Sequence, residues 1–216
     1  MPSVWVVFSS TPYKLGRFIR GVLGTQFNHI SLSFTPSLTP MYSFARRYIN
    51  APLVGGFVTE SYRRFQYLNR WADIKVCRID LTEQQHHRLR VFVASFKRHD
   101  KECIYNLYSA ATAPLKKRVR LRGCYTCVEF VCDALAYAGV KGFCYNAFHA
   151  LDTAEYILSP HVIYEGSAKD YPGGDQWGED TFAQRRRKRT VFKDTATTFA
   201  RLFVRGIRAL HDHFTR

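Results

Sequence analysis

The chain has 216 residues, of which 46% are hydrophobic and 15% are aromatic, and it carries a formal net charge of +15. This apolar content suffices for a packed core, so the composition excludes a wholly disordered protein, and the length suits one domain with or without an appendage. Residues 185–216 hold ten Lys or Arg and two Asp, so this tail has a net charge of +8 and the rest of the chain has +7.

The N-terminal segment and the cysteine count indicate a compartment. Residues 1–8 lack the basic region and the small-residue cleavage site of a secretory signal, and no apolar stretch is long enough to span a bilayer. Six cysteines are too few for a disulfide framework at this length, and a reducing compartment keeps thiols free. We therefore expect a cytoplasmic protein, peripheral at a membrane if its tail binds one.

Apolar periodicity predicts strands and one helix in the first part of the chain. The strands are predicted at residues 4–8, 29–34, 41–45, 57–60 and 74–79. Thr11, as an N-cap before Pro12, is expected to open a helix that ends at Gly24. The apolar face of that helix would consist of Leu15, Phe18, Ile19, Val22 and Leu23.

The second part of the chain carries clearer helix signals. Thr82 and Gln85 have the spacing of a capping box, which predicts a helix with Leu89, Phe92, Val93 and Phe96 along one stripe. Residues 127–138 predict another helix, capped by Thr126 and ended by Gly139, and residues 162–164 predict a closing strand. Together these elements predict an α+β fold, with helices packed on a small antiparallel sheet.

The composition changes after Tyr171. Pro172-Gly173-Gly174 begins a polar stretch, residues 185–189 are an unbroken basic run, and residues 195–214 predict an amphipathic helix. Its apolar face would contain Phe199, Leu202, Phe203, Ile207, Leu210 and Phe214, and its basic face Arg201, Arg205 and Arg208. We place the boundary near residue 172, which gives a domain at 1–171 and a basic extension at 172–216.

One cysteine and one histidine stand where nucleophilic chemistry would need them. A thiol attacks as its thiolate, and free cysteine has a pKa of about 8.5, which a helix N-terminus or a nearby imidazolium lowers. Cys127 is the first residue of the helix that follows Thr126, and His29 lies on the polar face of a strand together with Ser31 and Ser33. A cysteine at a helix start is more often a buried structural residue, so spacing alone does not establish a nucleophile.

Several stretches, taken in order, resemble the permuted papain-like cysteine hydrolases of the NlpC superfamily, the group that includes the YaeF/YiiX-like amidases. The matching stretches are residues 27–34, 41–44, 55–60, 105–107, 125–131 and 163–166, so the resemblance covers about residues 3–171. In that family the histidine precedes the cysteine in the chain and both line one cleft. The resemblance therefore implies a permuted papain-like fold with Cys127 as nucleophile and His29 as base.

The third member of the site departs from that pattern. Relatives such as the YiiX-like enzymes carry a Glu in the strand after the histidine strand, where this chain reads Tyr42-Ser43-Phe44. Glu60, in the next segment, could orient His29, and Ser43 could do so more weakly. Glu60 could equally be a surface acid at a strand end. We expect Glu129, two residues after Cys127, to anchor its helix.

Metal and nucleic-acid binding have weaker support in the sequence. Cys124 and Cys127 have a Cys-x-x-Cys spacing, but no second cysteine pair or spaced histidine pair completes a metal set, so we expect neither metal nor cofactor. The basic tail at 185–214 has three interpretations, which are a terminal helix docked on the domain, an anchor on an anionic membrane surface, and nucleic-acid contact. No motif supports the third interpretation.

These features predict a cysteine amidase or acyl hydrolase, with a peptide or lipid amide or ester as substrate. Cys127 would form a thioacyl intermediate, and backbone N–H groups at the helix start would stabilise the oxyanion. Transfer to a second acceptor is the variant of that reaction. The alternative is a catalytically inactive papain-like module that binds a partner and docks to a membrane through its basic tail.

Overall fold

The computed structural model describes residues 1–174, 178 and 180–214. The strands are β1 (Ser3–Ser10), β2 (His29–Ser33), β3 (Met41–Arg46), β4 (Gly55–Glu60), β5 (Gln66–Tyr67), β6 (Arg70–Trp71), β7 (Asp73–Asp80), β8 (Ile104–Tyr105), β9 (Cys124–Tyr125) and β10 (Val162–Ser167). The helices are α1 (Lys14–Leu23), α2 (Glu83–Arg98), α3 (Leu107–Thr112), α4 (Cys127–Ala138), α5 (Leu151–Leu158) and α6 (Lys188–Phe214). Single 3₁₀ turns span Tyr62–Phe65, Ala113–Leu115, Ser159–His161, Ala168–Asp170 and Thr181–Ala183.

The larger strands form one antiparallel sheet in the order β10-β7-β1-β2-β3-β4. Alternation along the strands sends side chains to two cores. One core lies under α2 and α4 and contains Val6, Phe8, Ile30, Leu32, Phe44, Phe57, Leu89, Phe92 and Phe130. The other lies on the opposite face and contains Val7, Met41, Tyr62, Phe65, Ile74, Val76 and Tyr171. The predicted α+β class and antiparallel sheet are confirmed.

Helix α4 begins and ends at the predicted residues. The Thr126 hydroxyl accepts a hydrogen bond from the Glu129 N–H at 3.2 Å, and Glu129 Oε2 accepts one from the Thr126 N–H at 2.7 Å. Gly139 ends the helix with a φ of 80°, which a residue with a side chain rarely adopts. Glu129 thus anchors the helix, as expected, and its capping box fixes where Cys127 lies.

Helix α1 begins later than predicted, and Thr11 does not cap it. The N-cap is Tyr13, which makes no side-chain cap. Thr11 instead pairs with Asn28, because its N–H donates to Asn28 Oδ1 at 2.9 Å and its hydroxyl accepts from Asn28 Nδ2 at 2.9 Å. This long-range pair holds the chain just before His29. The apolar face predicted from Leu15, Phe18, Ile19, Val22 and Leu23 lies outside the described side chains.

Helix α6 lies against the domain along one narrow edge. Leu202 is buried with Ile104, Leu121 and Cys124. Arg205 donates to the carbonyl oxygens of Glu102 and Arg122 at 2.6 and 2.9 Å. The remaining apolar side chains of the predicted face are exposed, and Phe214 falls outside the described side chains. None of the described helices has the length and apolar content needed to cross a bilayer.

The segment beyond residue 172 contacts the body of the protein. Asp180 binds Arg64, and Phe182 is buried with its ring 5.1 Å from that of Tyr13, centroid to centroid. Asn50 Nδ2 donates to the carbonyl oxygen of Arg186 at 2.7 Å. The boundary near residue 172 remains a prediction from composition, and side-chain packing continues across it.

Removing the α4 cap should weaken the fold at the site. We expect Thr126→Ala to lower the free energy of unfolding by about 1 kcal/mol, because the Glu129 N–H loses the Thr126 hydroxyl as its acceptor. Thr82→Ala, at the matching capping box of α2, is the control and should cost about as much. Urea denaturation measures both variants. A loss at Thr82 alone would contradict the role of Thr126.

Candidate functional site

Cys127 occupies the first turn of α4 and faces a cavity of about 250 Å³. The first N–H groups of a helix have no intrahelical acceptor, and the capping box supplies one only to the N–H groups of Thr126 and Glu129. Among the described residues no side chain accepts a hydrogen bond from the N–H groups of Cys127 and Val128, so these groups can bind an anion next to the thiol. A helix N-terminus also favours negative charge.

His29, the first residue of β2, contacts this cysteine. Its ring lines the same cavity as the Cys127 thiol, with which it interacts, and its Nε2 lies 2.9 Å from Glu60 Oε1. The His29 side chain is 13% exposed, so one edge of the ring reaches the cavity. Since Glu60 occupies Nε2, Nδ1 is the ring nitrogen left to face the sulfur.

The sheet leaves room for this contact. Strand β2 pairs with β3 only at Leu32–Tyr42 and Ser33–Met41, so the pairing stops before His29. On its other side His29 remains paired with Ser9 of β1. The histidine is thus fixed by one neighbouring strand and open toward the other, where the cavity lies.

Glu60 is the buried acid that holds His29. The side chain is 1% exposed, which contradicts the interpretation of a surface acid at a strand end. Its Oε1 atom accepts a hydrogen bond from the Ser43 hydroxyl and lies 3.4 Å from Arg64 Nη1. Ser43 therefore contacts the carboxylate and not the imidazole.

A second carboxylate balances the charges behind Glu60. Arg64 Nε and Nη2 lie 2.6 and 3.0 Å from the two oxygens of Asp180, and Asp180 is almost fully buried. A buried charge is costly unless it is paired and hydrogen-bonded. Arg64 thus links the acid beside His29 to the segment that follows residue 172.

The protonation states follow from these contacts. Burial lowers the pKa of His29, but the Glu60 carboxylate and the hydrogen bond with Cys127 outweigh it and raise this pKa from 6.5 to about 10. Burial raises the pKa of Glu60, but His29 and Arg64 together lower it from 4.5 to about 2. Near neutral pH the pair is an imidazolium and a carboxylate.

Tyr105 is a third side chain at the sulfur. Strand β8 pairs in parallel with β9 in the register Tyr105–Tyr125, which places Tyr105 beside the start of α4. Its side chain lines the cavity with Cys127, and burial together with Cys127 raises the pKa of Tyr105 well above 10. A hydroxyl that stays protonated can donate to a thiolate or to an oxyanion.

The cavity walls are largely apolar. They include Tyr13, Phe44, Pro52, Leu53, Phe65, Leu107, Ala110 and Phe182. Two guanidinium groups, of Arg46 and Arg64, also line the cavity, and both lie over the ring of Phe182, at 5.2 and 4.6 Å from its centroid. Such a cavity suits a ligand with an apolar body and a few polar groups.

The other cysteines and histidines do not form a comparable site. Cys124 is buried, and its sulfur accepts from Arg205 Nη1 at 3.2 Å. In the described part of the chain, no three His, Cys, Asp or Glu side chains are grouped so as to hold a metal ion. All six cysteines are free thiols.

The structure thus brings together Cys127, His29 and Glu60, with Ser43 behind the acid. Sequence reasoning gave no role to Tyr105, Arg64, Asp180 or Arg46. For Arg64 a signal existed, because it follows Glu60 by four residues, although that spacing pairs charges only in a helix. Asp180 lies more than a hundred residues from its partner and carries no local signal.

Comparisons with protein-family models, with curated proteins and with solved structures give no match for this chain. The permuted papain-like fold therefore remains a prediction from the sequence stretches.

Replacing Glu60 with Gln should release the His29 proton at a lower pH. We expect the pKa of His29 to fall by roughly one unit or more in Glu60→Gln, because the imidazolium loses its counter-charge. NMR titration of the imidazole, assigned by its loss in His29→Asn, measures this pKa, and Glu83→Gln on α2 is the control. An unchanged titration would contradict a positioning role for Glu60.

The same pair makes stability depend on pH. The pKa of His29 is raised on folding, so its contribution is complete below pH 6.5 and is lost as pH rises toward 10. The pKa of Glu60 is lowered, so its contribution is complete above pH 4.5 and is lost as pH falls toward 2. Urea denaturation should therefore show the largest difference between wild type and Glu60→Gln from pH 4.5 to 6.5.

Proposed function

We propose that this protein is a cysteine-dependent hydrolase or acyltransferase of permuted papain-like design, which cleaves an amide or ester through a thioacyl intermediate on Cys127. One observation carries the proposal: Cys127, His29 and the buried Glu60 line one cavity, and the imidazole lies 2.9 Å from the carboxylate. A nucleophile, a base and a group that orients the base form the common arrangement of acyl-transfer enzymes.

The attacking form of Cys127 is its thiolate, and protonated His29 provides the positive charge that stabilises such an anion. The thiolate attacks the carbonyl carbon, and the carbonyl π electrons move to oxygen. The N–H groups of Cys127 and Val128 and the Tyr105 hydroxyl stabilise the resulting oxyanion. The tetrahedral intermediate collapses, and the bond to the leaving group breaks. His29 gives its proton to the leaving nitrogen or oxygen, and a thioester remains on Cys127.

In the second half of the reaction the acyl group leaves Cys127, and His29 accepts a proton instead of donating one. Neutral His29 takes a proton from water, or from the hydroxyl or amine of a second acceptor, which attacks the thioester carbonyl. The carbon–sulfur bond breaks, and the thiolate and the imidazolium are restored. Glu60 stays ionised throughout and keeps Nε2 protonated and pointed away from the sulfur.

The alternative function is a catalytically inactive papain-like module that binds a partner. It was based on the absence of an acid in the strand after His29. Glu60, one strand further along, fills that position with a buried carboxylate at 2.9 Å from the imidazole. No other feature of the described residues favours an inactive site, because the cavity reaches both Cys127 and His29. The geometry therefore supports the enzyme.

Thiol labelling tests the activated nucleophile. We expect iodoacetamide to alkylate Cys127 faster than the other five cysteines, and His29→Ala to slow this reaction roughly 10-fold or more, because the thiolate loses its counter-ion. Intact mass and peptide mapping measure the rates, and Cys127→Ala and His86→Ala are the controls. Equal labelling of several cysteines, insensitive to His29, would refute the proposal.

Turnover tests the chemistry itself. With a panel of p-nitrophenyl esters and acyl anilides, wild type should show a burst of product equal to the enzyme concentration and an acyl mass on Cys127. Tyr105→Phe should lower kcat roughly 10-fold or more with a smaller change in KM, because one oxyanion donor is lost. Wild-type turnover by Cys127→Ala would end the assignment.

A further inference from the structure

We infer that Arg46 recognises an anionic group of the substrate, a carboxylate or a phosphate ester placed near the scissile carbonyl. This inference rests on the proposed function, because it concerns the same cavity. An anionic group would define the class of substrate, which Cys127, His29 and Glu60 do not define.

The first observation is that Arg46 has no acidic partner. Its guanidinium makes one weak hydrogen bond, from Nη1 to the carbonyl oxygen of Ile49 at 3.4 Å, and otherwise lies over the rings of Tyr13 and Phe182 at 5.5 and 5.2 Å. Among the described residues no carboxylate lies within ion-pair distance of it. The neighbouring Arg64, by contrast, is paired with Glu60 and Asp180.

The second observation is where this guanidinium lies. Arg46 is half-buried at the end of β3 and lines the same cavity as Cys127 and His29. It is close enough to Tyr105 to lower the pKa of that hydroxyl, which itself contacts the sulfur. A ligand that fills this cavity can therefore contact both the thiol and the guanidinium.

Burial of the Arg46 guanidinium favours the binding of an anion next to it. Removing a guanidinium from water costs free energy unless a charge or several acceptors replace the solvent, and burial lowers the pKa of Arg46 accordingly. The planar fork of an arginine matches the two oxygens of a carboxylate or a phosphate. The flanking rings would hold that fork in one plane, with an apolar wall for the rest of the substrate.

Two alkylating agents of nearly equal size test this inference without a known substrate. Iodoacetate is an anion and iodoacetamide is neutral, so the ratio of their alkylation rates at Cys127 reports the charge of the cavity. We expect Arg46→Gln to lower the iodoacetate-to-iodoacetamide ratio roughly 10-fold, and Arg46→Lys to retain part of it. Arg88→Gln, exposed on α2, is the control.

The outcomes separate the two proposals. Selective labelling of Cys127 with a ratio that does not change in Arg46→Gln overturns the role of Arg46 and leaves the proposed function standing. Unselective labelling in wild type overturns both. Protection of Cys127 from iodoacetamide by acetate or by inorganic phosphate, lost in Arg46→Gln, supports the inference and tells which anion is preferred.

We also propose that α6 binds the surface of an anionic lipid bilayer, independently of the cavity at Cys127. Five exposed apolar side chains recur at helical spacing along one face, Phe192, Phe199, Phe203, Ile207 and Leu210. This lipid face lies about a quarter-turn from the docked edge that contains Leu202, so the contact with the domain leaves it uncovered.

The charges favour lipid over a second copy of the chain. Arg185, Arg187, Lys188, Arg189, Lys193 and Arg208 are exposed, and none of them has an acidic partner among the described residues. A basic amphipathic helix with exposed Phe and Leu binds an anionic leaflet by apolar burial and by charge. Two such helices packed face to face would bring these cations together.

Vesicle flotation of the full chain tests this proposal. We expect binding to phosphatidylcholine vesicles that contain a quarter phosphatidylglycerol, weak binding to phosphatidylcholine alone, and loss of roughly 10-fold or more in affinity in the double variant Phe199→Ser and Phe203→Ser. Both side chains are exposed, so the fold should persist, and circular dichroism checks it. Tyr156→Ser, at an exposed tyrosine of α5, is the matched control.

Equal binding of wild type and the double variant would overturn the proposal. So would a dimer in sedimentation that the double variant dissociates, because the face would then cover a second copy.

Discussion

The buried carboxylate of Glu60 is the constraint on which the rest of the site depends. It meets an imidazole, a hydroxyl and a guanidinium at once, from His29, Ser43 and Arg64. Each of these groups comes from a different segment, so the position of the acid fixes three parts of the chain relative to each other. Because an unpaired charge at this depth would be costly, the network forms as a unit.

The network also determines the charges of His29 and Glu60. With Glu60 ionised, His29 keeps its proton at neutral pH and can act first as an acid. Arg64 contacts Glu60 at 3.4 Å but makes its shorter contact, at 2.6 Å, with Asp180, which balances the charge of this guanidinium. The acid is supplied by β4, two strands from His29 in the sheet. The side chain of Ser43, from the strand between, is small enough to let Glu60 reach His29.

The parts of this structure that sequence predicted are those with local signals. The caps and the stop residue of α4, the capping box of α2 and the alternation of β2 each lie within a few residues, and each was found where expected. The pairing of Cys127 with His29 followed from motif resemblance and not from spacing. The prediction that Thr11 caps α1 was wrong, because the hydroxyl and the N–H of Thr11 both form hydrogen bonds with Asn28, seventeen residues away. The partners of Arg64 and the freedom of Arg46 depend on tertiary contacts that no local pattern records.

The docked edge of α6 has a consequence for how this chain can be divided. Arg205 binds the carbonyls of Glu102 and Arg122, which precede β8 and β9, the two short strands that lead to Tyr105 and Cys127. Leu202 completes the small core beneath those strands. The last helix is therefore part of the structure that supports these two strands. An unrelated tail in its place would leave Ile104, Leu121 and Cys124 without the side chain of Leu202 that covers them.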